Sequence, residues 1–106
     1  PWIAGAVDFW MDMHWHAGSS LLLDVGVTPA GAPREDGRGI YALHCLLPES
    51  ETTTRYFFGV AQNYRRDDAS IVSFWNQAST YAFLQDKVIC EAVQSNMGEN
   101  WDVLRM

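Results

Sequence analysis

The chain has 106 residues, with 7 basic against 13 acidic side chains, a formal net charge of −6 and a pI of about 4.7. That length suits a single domain, and 48% hydrophobic with 19% charged content is the composition of a folded chain rather than a disordered tail. Without a stripe of Lys and Arg to neutralise phosphates, nucleic acid is excluded as a partner; no run approaches the ~18 apolar residues of a membrane span.

Val7–His16 alternates: Val7, Phe9, Met11, Met13 and Trp15 are apolar, Asp8, Asp12, His14 and His16 interleave, and Trp10 alone breaks the rule. Period two over that length predicts a half-buried strand. Ala17-Gly18-Ser19 is a turn, and Ser20–Thr28 reads as a second strand rich in branched residues. Pro29–Gly39, dense in Pro, Gly and charge, reads as a loop. Ile40–Leu47 is a third strand and Thr52–Tyr64 a fourth, with Gly59 in its middle suggesting a bulge or a close approach by another group.

After Arg65-Arg66 the period changes. Asp67 or Asp68 can cap a helix, and from Ala69 to about Met97 there is neither proline nor glycine until Gly98 supplies a stop. Apolar residues at spacings of three and four define one stripe on a helix roughly 40 Å long. The tail Glu99–Met106 is ordered only if Trp101 and Leu104 find a groove. The expected fold is α+β: about four antiparallel strands in a curled sheet whose apolar face grips one long C-terminal helix.

Asp86 is the most informative residue for chemistry. At 100° per residue, Trp75, Ala82, Ile89 and Val93 lie within about 60° of it, so it falls inside the apolar stripe. A carboxylate there has to be paired, protonated or metal-bound, since an isolated buried charge costs several kcal/mol. The plainer reading pairs it with Arg55 or a backbone amide. His14 and His16, with Asp12, sit on one side of a strand, their Cα atoms about 6.8 Å apart. They offer a candidate strand metal site, though a solvated or carboxylate-paired strand face is the plainer reading. His44 reads as a satisfied sheet histidine. Among the aromatics, Trp10, Phe57, Phe58, Tyr81 and Phe83 read mainly as core. Phe74 and Trp75, upstream of Asp86, are the best candidates for a substrate cavity, with Ala82 and Ile89 beside them. Gln94 is a candidate to orient a neighbouring group and Glu91 belongs to a wet face. Cys45 and Cys90, without CxxC or Cys/His clusters, read as free thiols in a reducing cytoplasm.

The run Ala82-Phe83-Leu84-Gln85-Asp86-Lys87-Val88-Ile89-Cys90-Glu91-Ala92-Val93-Gln94 resembles the end of the catalytic domain of Rieske non-haem iron oxygenase α subunits, in the vanillate O-demethylase and dicamba monooxygenase-like branch. Leu23–Gly31 and Leu47–Phe57 are similar to strand sequences of that branch. The resemblance implies a helix-grip, START-like domain in which Asp86 is the single carboxylate of a two-His, one-carboxylate site on mononuclear Fe(II). It implies O₂-dependent oxygenation or demethylation of a small aromatic or apolar substrate. Electrons would come from a reductase or ferredoxin through a Rieske [2Fe–2S] centre. The sequence holds neither the paired CxH and CxxH spacings of that cluster nor an HxxxxH pair for the iron.

These 106 residues, beginning Pro1-Trp2-Ile3 without an initiator Met or signal pattern, therefore read as part of a larger catalytic domain with poor iron affinity of its own. Half a grip sheet exposes apolar residues and strand edges, which predicts a homo-oligomer. A non-catalytic helix-grip domain binding a small apolar ligand, with Asp86 neutralised, is the alternative.

Overall fold

A computed structural model describes residues 4–97. The alternating segments become β1 (Val7–His16), β2 (Ser20–Pro29), β3 (Arg38–Pro48) and β4 (Thr54–Gln62), followed by α1 (Ala69–Met97). The strands form one antiparallel sheet in the order β1-β2-β3-β4, with one short 3₁₀ turn, Arg34–Asp36, in the β2–β3 loop. Gly98, Trp101 and Leu104, expected to stop the helix and to find a groove, lie outside the described residues.

Side chains of a strand alternate between faces, so the register assigns every strand residue to one side. Trp10 pairs with Gly26, Gly26 with Gly39 and Tyr41 with Ala61, which places the even residues of β1 and β2 and the odd residues of β3 and β4 on one face. This is the outer face. The inner face takes the odd residues of β1 and β2 and the even residues of β3 and β4, and α1 lies on it, against β4. The register of β3 with β4 runs unbroken through the Leu43–Gly59 pair, and nothing approaches Gly59 within 4 Å. The expected bulge or close approach there does not occur.

The close approach occurs under Trp10. A Cβ on Gly26 would lie 2.3 Å from the Trp10 ring, and one on Gly37 or Gly39 would lie 2.8 Å and 3.0 Å from it. The indole therefore lies flat on a floor that only glycine leaves open. Its Nε1 donates to Asp24 Oδ1 at 2.8 Å, and the Arg34 guanidinium, held by Asp12, stacks 5.4 Å above the ring. Trp10, the residue that breaks the alternation, is thus one of the few buried side chains, at 8% exposure, with Ala42 and Thr28. The same contacts dock the β2–β3 loop, helped by Thr28 Oγ1 donating to the Pro33 carbonyl (3.2 Å) and the Gly39 N–H donating to Asn63 Oδ1 (2.9 Å).

Asp68 caps α1: its Oδ1 accepts the Ser70 N–H at 2.9 Å, and its backbone carbonyl accepts from Ile71 at 3.1 Å. Hydrogen bonds from the Ser70 hydroxyl and N–H, with the Arg65 guanidinium beside it, hold the Asp68 carboxyl below its ordinary pKa. The helix runs 29 residues and has no fully buried side chain. At 1.5 Å per residue it is about 44 Å long, against about 30 Å for the nine residues of β4. The Cα radius of gyration is 17.5 Å, where a compact domain of this size has about 13 Å. No described helix is long and apolar enough to cross a membrane.

The glycine floor generates a paired expectation. Trp10→Ala should cost about 3–5 kcal/mol by emptying the outer face. Gly26→Ala should cost about 1–3 kcal/mol by driving a methyl into the indole. Gly59→Ala, with open space around it, should be nearly neutral; urea unfolding of the three variants checks the order.

Candidate functional site

The helix runs antiparallel to β4, and contacts step along the pair. Trp75 Nε1 donates to the Tyr64 hydroxyl at 3.0 Å, Phe83 meets Phe58 with ring centroids 4.6 Å apart, and Phe83 also meets Tyr56 at 5.6 Å. His44, on β3, completes the group: its ring stacks on Tyr56 at 5.8 Å and receives the edge of Phe83 at 5.4 Å. His44 Nδ1 shares a hydrogen bond with the Tyr56 hydroxyl. His44 is therefore a satisfied sheet histidine, as its sequence context suggests. The register accounts for the cluster, since His44 faces Phe58 directly and lies diagonal to Tyr56 on the inner face. Partial burial moves the two hydroxyl- and imidazole-bearing groups in opposite directions. It lowers the His44 pKa and, with the nearby Asp86 charge, raises that of Tyr56.

Asp86 stands one turn beyond Phe83, close enough for its charge to act on Tyr56. Angularly it lies in the middle of the half-buried helix residues Ile71, Trp75, Ala78, Ser79, Phe83, Gln94 and Met97. The expectation that it is buried in an apolar stripe is not met: Asp86 is exposed. Ala82 is exposed as well, Ile89 is 63% exposed and Val93 50%. The reason is coverage. Tyr56 is two residues from the start of β4, while Asp86 is eleven from the end of α1, so the last turns of the helix run past the strand they began on. The direction of the stripe was right and its burial was not.

The other candidates divide. Trp75 is half-buried, whereas Phe74 is 57% exposed with its ring edge against Trp75, centroids 5.2 Å apart. Gln94 is half-buried. Trp10 and Phe57 lie on the outer face, away from the helix, and Tyr81 is 68% exposed, so among the aromatics read as core only Phe58 and Phe83 meet. The signal that separates them is strand parity, which fixes Tyr56, Phe58 and His44 on one face once the register is known.

Two pairings proposed from the sequence do not form. Arg55 is on the outer face, bound to Glu49 at 2.9 Å, and so does not neutralise Asp86. Asp12, with His14 and His16 on the outer face, is bound by Arg34. Among the described residues no three His, Cys, Asp or Glu side chains converge in a way that could hold a metal ion. The strand metal site is therefore not built, because its only carboxylate anchors the arginine above Trp10. Cys45 and Cys90 are free thiols.

A half-open space of about 260 Å³ lies on the outer face among Trp10, Asp24, Arg34, Glu35 and Tyr41. Its polar groups are largely engaged with one another, as the Trp10–Asp24 and Arg34–Asp12 bonds show. The inner face is different in kind: an open apolar groove between α1 and β1–β2, where Phe9, Met11, Met13 and Trp15 are 56–63% exposed. Against it the His44–Tyr56 pair supplies hydrogen-bonding groups, and Asp86 a carboxylate that makes no hydrogen bond or ion pair among the described residues. A hard, unshared oxygen donor of this kind suits one coordination position of a ferrous ion, and the described residues supply no further ligand beside it.

The lowered His44 pKa carries a sign. Unfolded, the imidazole titrates near 6.5; folded, it protonates only at lower pH, so the unfolded chain binds more protons in between. Stability from this group is full above about pH 6.5 and is lost as the pH falls through the folded pKa. His44→Gln should flatten the fall in stability between about pH 7 and 5, as measured by denaturant midpoints across that range.

The sequence matches that of known oxygenase components along nearly its whole length. It is 38% identical over 102 residues to the oxygenase component of chloroacetanilide N-alkylformylase from Rhizorhabdus wittichii, covering 93% of this chain and 29% of that protein. It is 34% identical to the oxygenase component of dicamba O-demethylase from Stenotrophomonas maltophilia, over 83% of this chain and 26% of that one. The crystal structure of dicamba monooxygenase bound to 3,6-dichlorosalicylic acid superposes with a TM-score of 0.79 at 33% identity, covering 84% of this chain and 26% of that chain. The chain thus spans under a third of the length of these relatives. The sequence pattern of the vanillate O-demethylase oxygenase C-terminal domain matches residues 1–106, and with the shared fold this means that the chain belongs to that family of Rieske-type oxygenase components.

Proposed function

We propose that this chain forms the C-terminal part of the catalytic domain of a Rieske-type oxygenase or O-demethylase, with Asp86 as the carboxylate ligand of a mononuclear Fe(II). The observation that carries the reading is the Asp86 carboxylate, without a hydrogen bond or ion pair among the described residues, one turn beyond Phe83 on the side of α1 that its half-buried residues share, in a family of oxygenase components. Two histidine ligands and the [2Fe–2S] cluster would come from other parts of a longer subunit. A reductase or ferredoxin would supply its electrons in the cytoplasm, where Cys45 and Cys90 stay reduced. A bound ferrous ion with open coordination positions supplies the O₂ chemistry.

The chain's own residues do the rest. The inner strand faces exclude water and hold a small aromatic or apolar molecule, with Trp75, Phe74, Ala82 and Ile89 on the helix side. Phe83 packs against Tyr56 and Phe58, which fixes the helix so that Asp86 keeps its position relative to the sheet. Tyr56 and His44 offer a hydrogen-bonding point at the edge of that space. Gln94, two turns further on, orients a neighbouring group.

In a full-length subunit, Asp86→Ala should lose most of its mononuclear iron and its O₂-coupled turnover while the visible spectrum of the Rieske cluster is kept. Elemental analysis against cluster absorbance reads the two apart; full iron retention would refute the assignment. Asp86→Glu should keep part of the iron.

The exposed β1 residues and the free edge of that strand further support association with a second chain. The 106-residue chain alone should scatter as a dimer or larger species. A monodisperse monomer in solution scattering would count against it.

A further inference from the structure

The rings of His44, Tyr56, Phe58 and Phe83 surround one polar contact, the hydrogen bond between the Tyr56 hydroxyl and His44 Nδ1. Phe83 sets its edge against Tyr56 at 5.6 Å and against His44 at 5.4 Å, and Phe58 lies 5.7 Å from Tyr56. The imidazole and phenol planes are within 3° of parallel. Tyr64 differs, since its hydroxyl accepts from Trp75 Nε1, and an indole N–H has no lone pair with which to take a proton. Of the described tyrosines, Tyr56 alone is hydrogen-bonded to a base.

We propose that Tyr56 and His44 form a one-electron donor, in which Tyr56 gives up an electron while its hydroxyl proton passes to His44 Nδ1. The O–H bond of Tyr56 breaks, an N–H bond forms on His44, and a tyrosyl radical is left facing an imidazolium. A phenol that loses an electron becomes a strong acid, so its oxidation is hard unless a base takes the proton in the same step. A neutral imidazole already bonded to the hydroxyl is such a base. Burial lowers the His44 pKa, which keeps the ring neutral near pH 7 with its Nδ1 lone pair available. The role of the pair, unlike its chemistry, rests on the oxygenase reading above. There the electron goes to an oxidant derived from O₂ beside Asp86 when no substrate consumes it. The subunit's reductase or ferredoxin then returns an electron to Tyr56, and the proton goes back from His44 to the phenol oxygen.

The test needs no iron. Tyr56 is 37% exposed, so a dissolved oxidant reaches it in the 106-residue chain. The chain is oxidised near pH 7 by a photogenerated ruthenium(III) polypyridyl complex, with a cobalt(III) complex as terminal electron acceptor. Flash photolysis reads the rate of tyrosyl formation. High-field electron paramagnetic resonance reads the g-values of the trapped radical, which shift when a donor is hydrogen-bonded to the phenoxyl oxygen. A hydrogen-bonded tyrosyl radical is expected, and Tyr56→Phe, which keeps the ring contacts, should remove it. His44→Phe should slow its formation at least about tenfold by removing the base. Absence of a tyrosyl radical, an undiminished hydrogen-bonded signal in Tyr56→Phe, or an unchanged rate in His44→Phe overturns the inference. If His44→Phe fails to fold, His44→Gln, which replaces the imidazole by a far weaker base, takes its place. Iron retention by Asp86→Ala is measured separately in the full-length subunit, so failure of the oxygenase reading is seen apart from failure of the donor pair.

Discussion

Four strands in this chain keep one unbroken alternation of side chains, and that register is the constraint on which the other features depend. Shifting any strand by one residue would move its whole apolar set to the other side of the sheet. In the observed register the odd residues of β1 and β2 and the even residues of β3 and β4 share one apolar face, and the helix lies on it. The outer face is thereby left for Trp10, whose indole lies over Gly26, Gly37 and Gly39 and whose Nε1 reaches Asp24. The two faces have different duties. One anchors the long β2–β3 loop through an aromatic ring on bare backbone; the other presents a groove.

The inner face of β1 is open because α1 packs chiefly on β4, at the opposite edge of the sheet. Packing between α1 and the sheet is concentrated where Trp75 meets Tyr64 and Phe83 meets Phe58, Tyr56 and His44. Asp86 stands just beyond that packing, one turn past Phe83, and is exposed. A carboxylate at the limit of an apolar contact surface stays hydrated on the side of the helix that the packed residues share. That is a workable position for a ligand completed by other parts of a larger protein, and an expensive one for a residue meant to be sealed in a core.

The elements themselves were largely legible. Period two, broken only at Trp10, gives β1 its bounds, and the absence of Pro and Gly with an aspartate ahead gives α1 its span from Ala69 to Met97, because local steric and hydrogen-bonding preferences act within a few residues. The family resemblance was legible too, in the stretch around Asp86-Lys87 and in two strand segments. Trp10 is the exception to the alternation and part of the core, as the sequence indicates, but only its cross-strand neighbours reveal that three glycines clear a space for it. Gly59 was misread for the converse reason, lying where no ring comes near.

What the chain's residue order determined alone was therefore the local grammar: four strands, one capped helix, an acidic net charge, and an aspartate on the same angular face as the half-buried helix residues. Which side chains meet was decided only by tertiary structure. Parity of pairing joined His44, Tyr56, Phe58 and Phe83 from three elements and sent Arg55 and the Asp12–His14–His16 group to the opposite side. The burial of Asp86 was equally undecidable from spacing, because spacing gives the direction in which a side chain points, while exposure depends on how far a neighbouring strand extends beneath it.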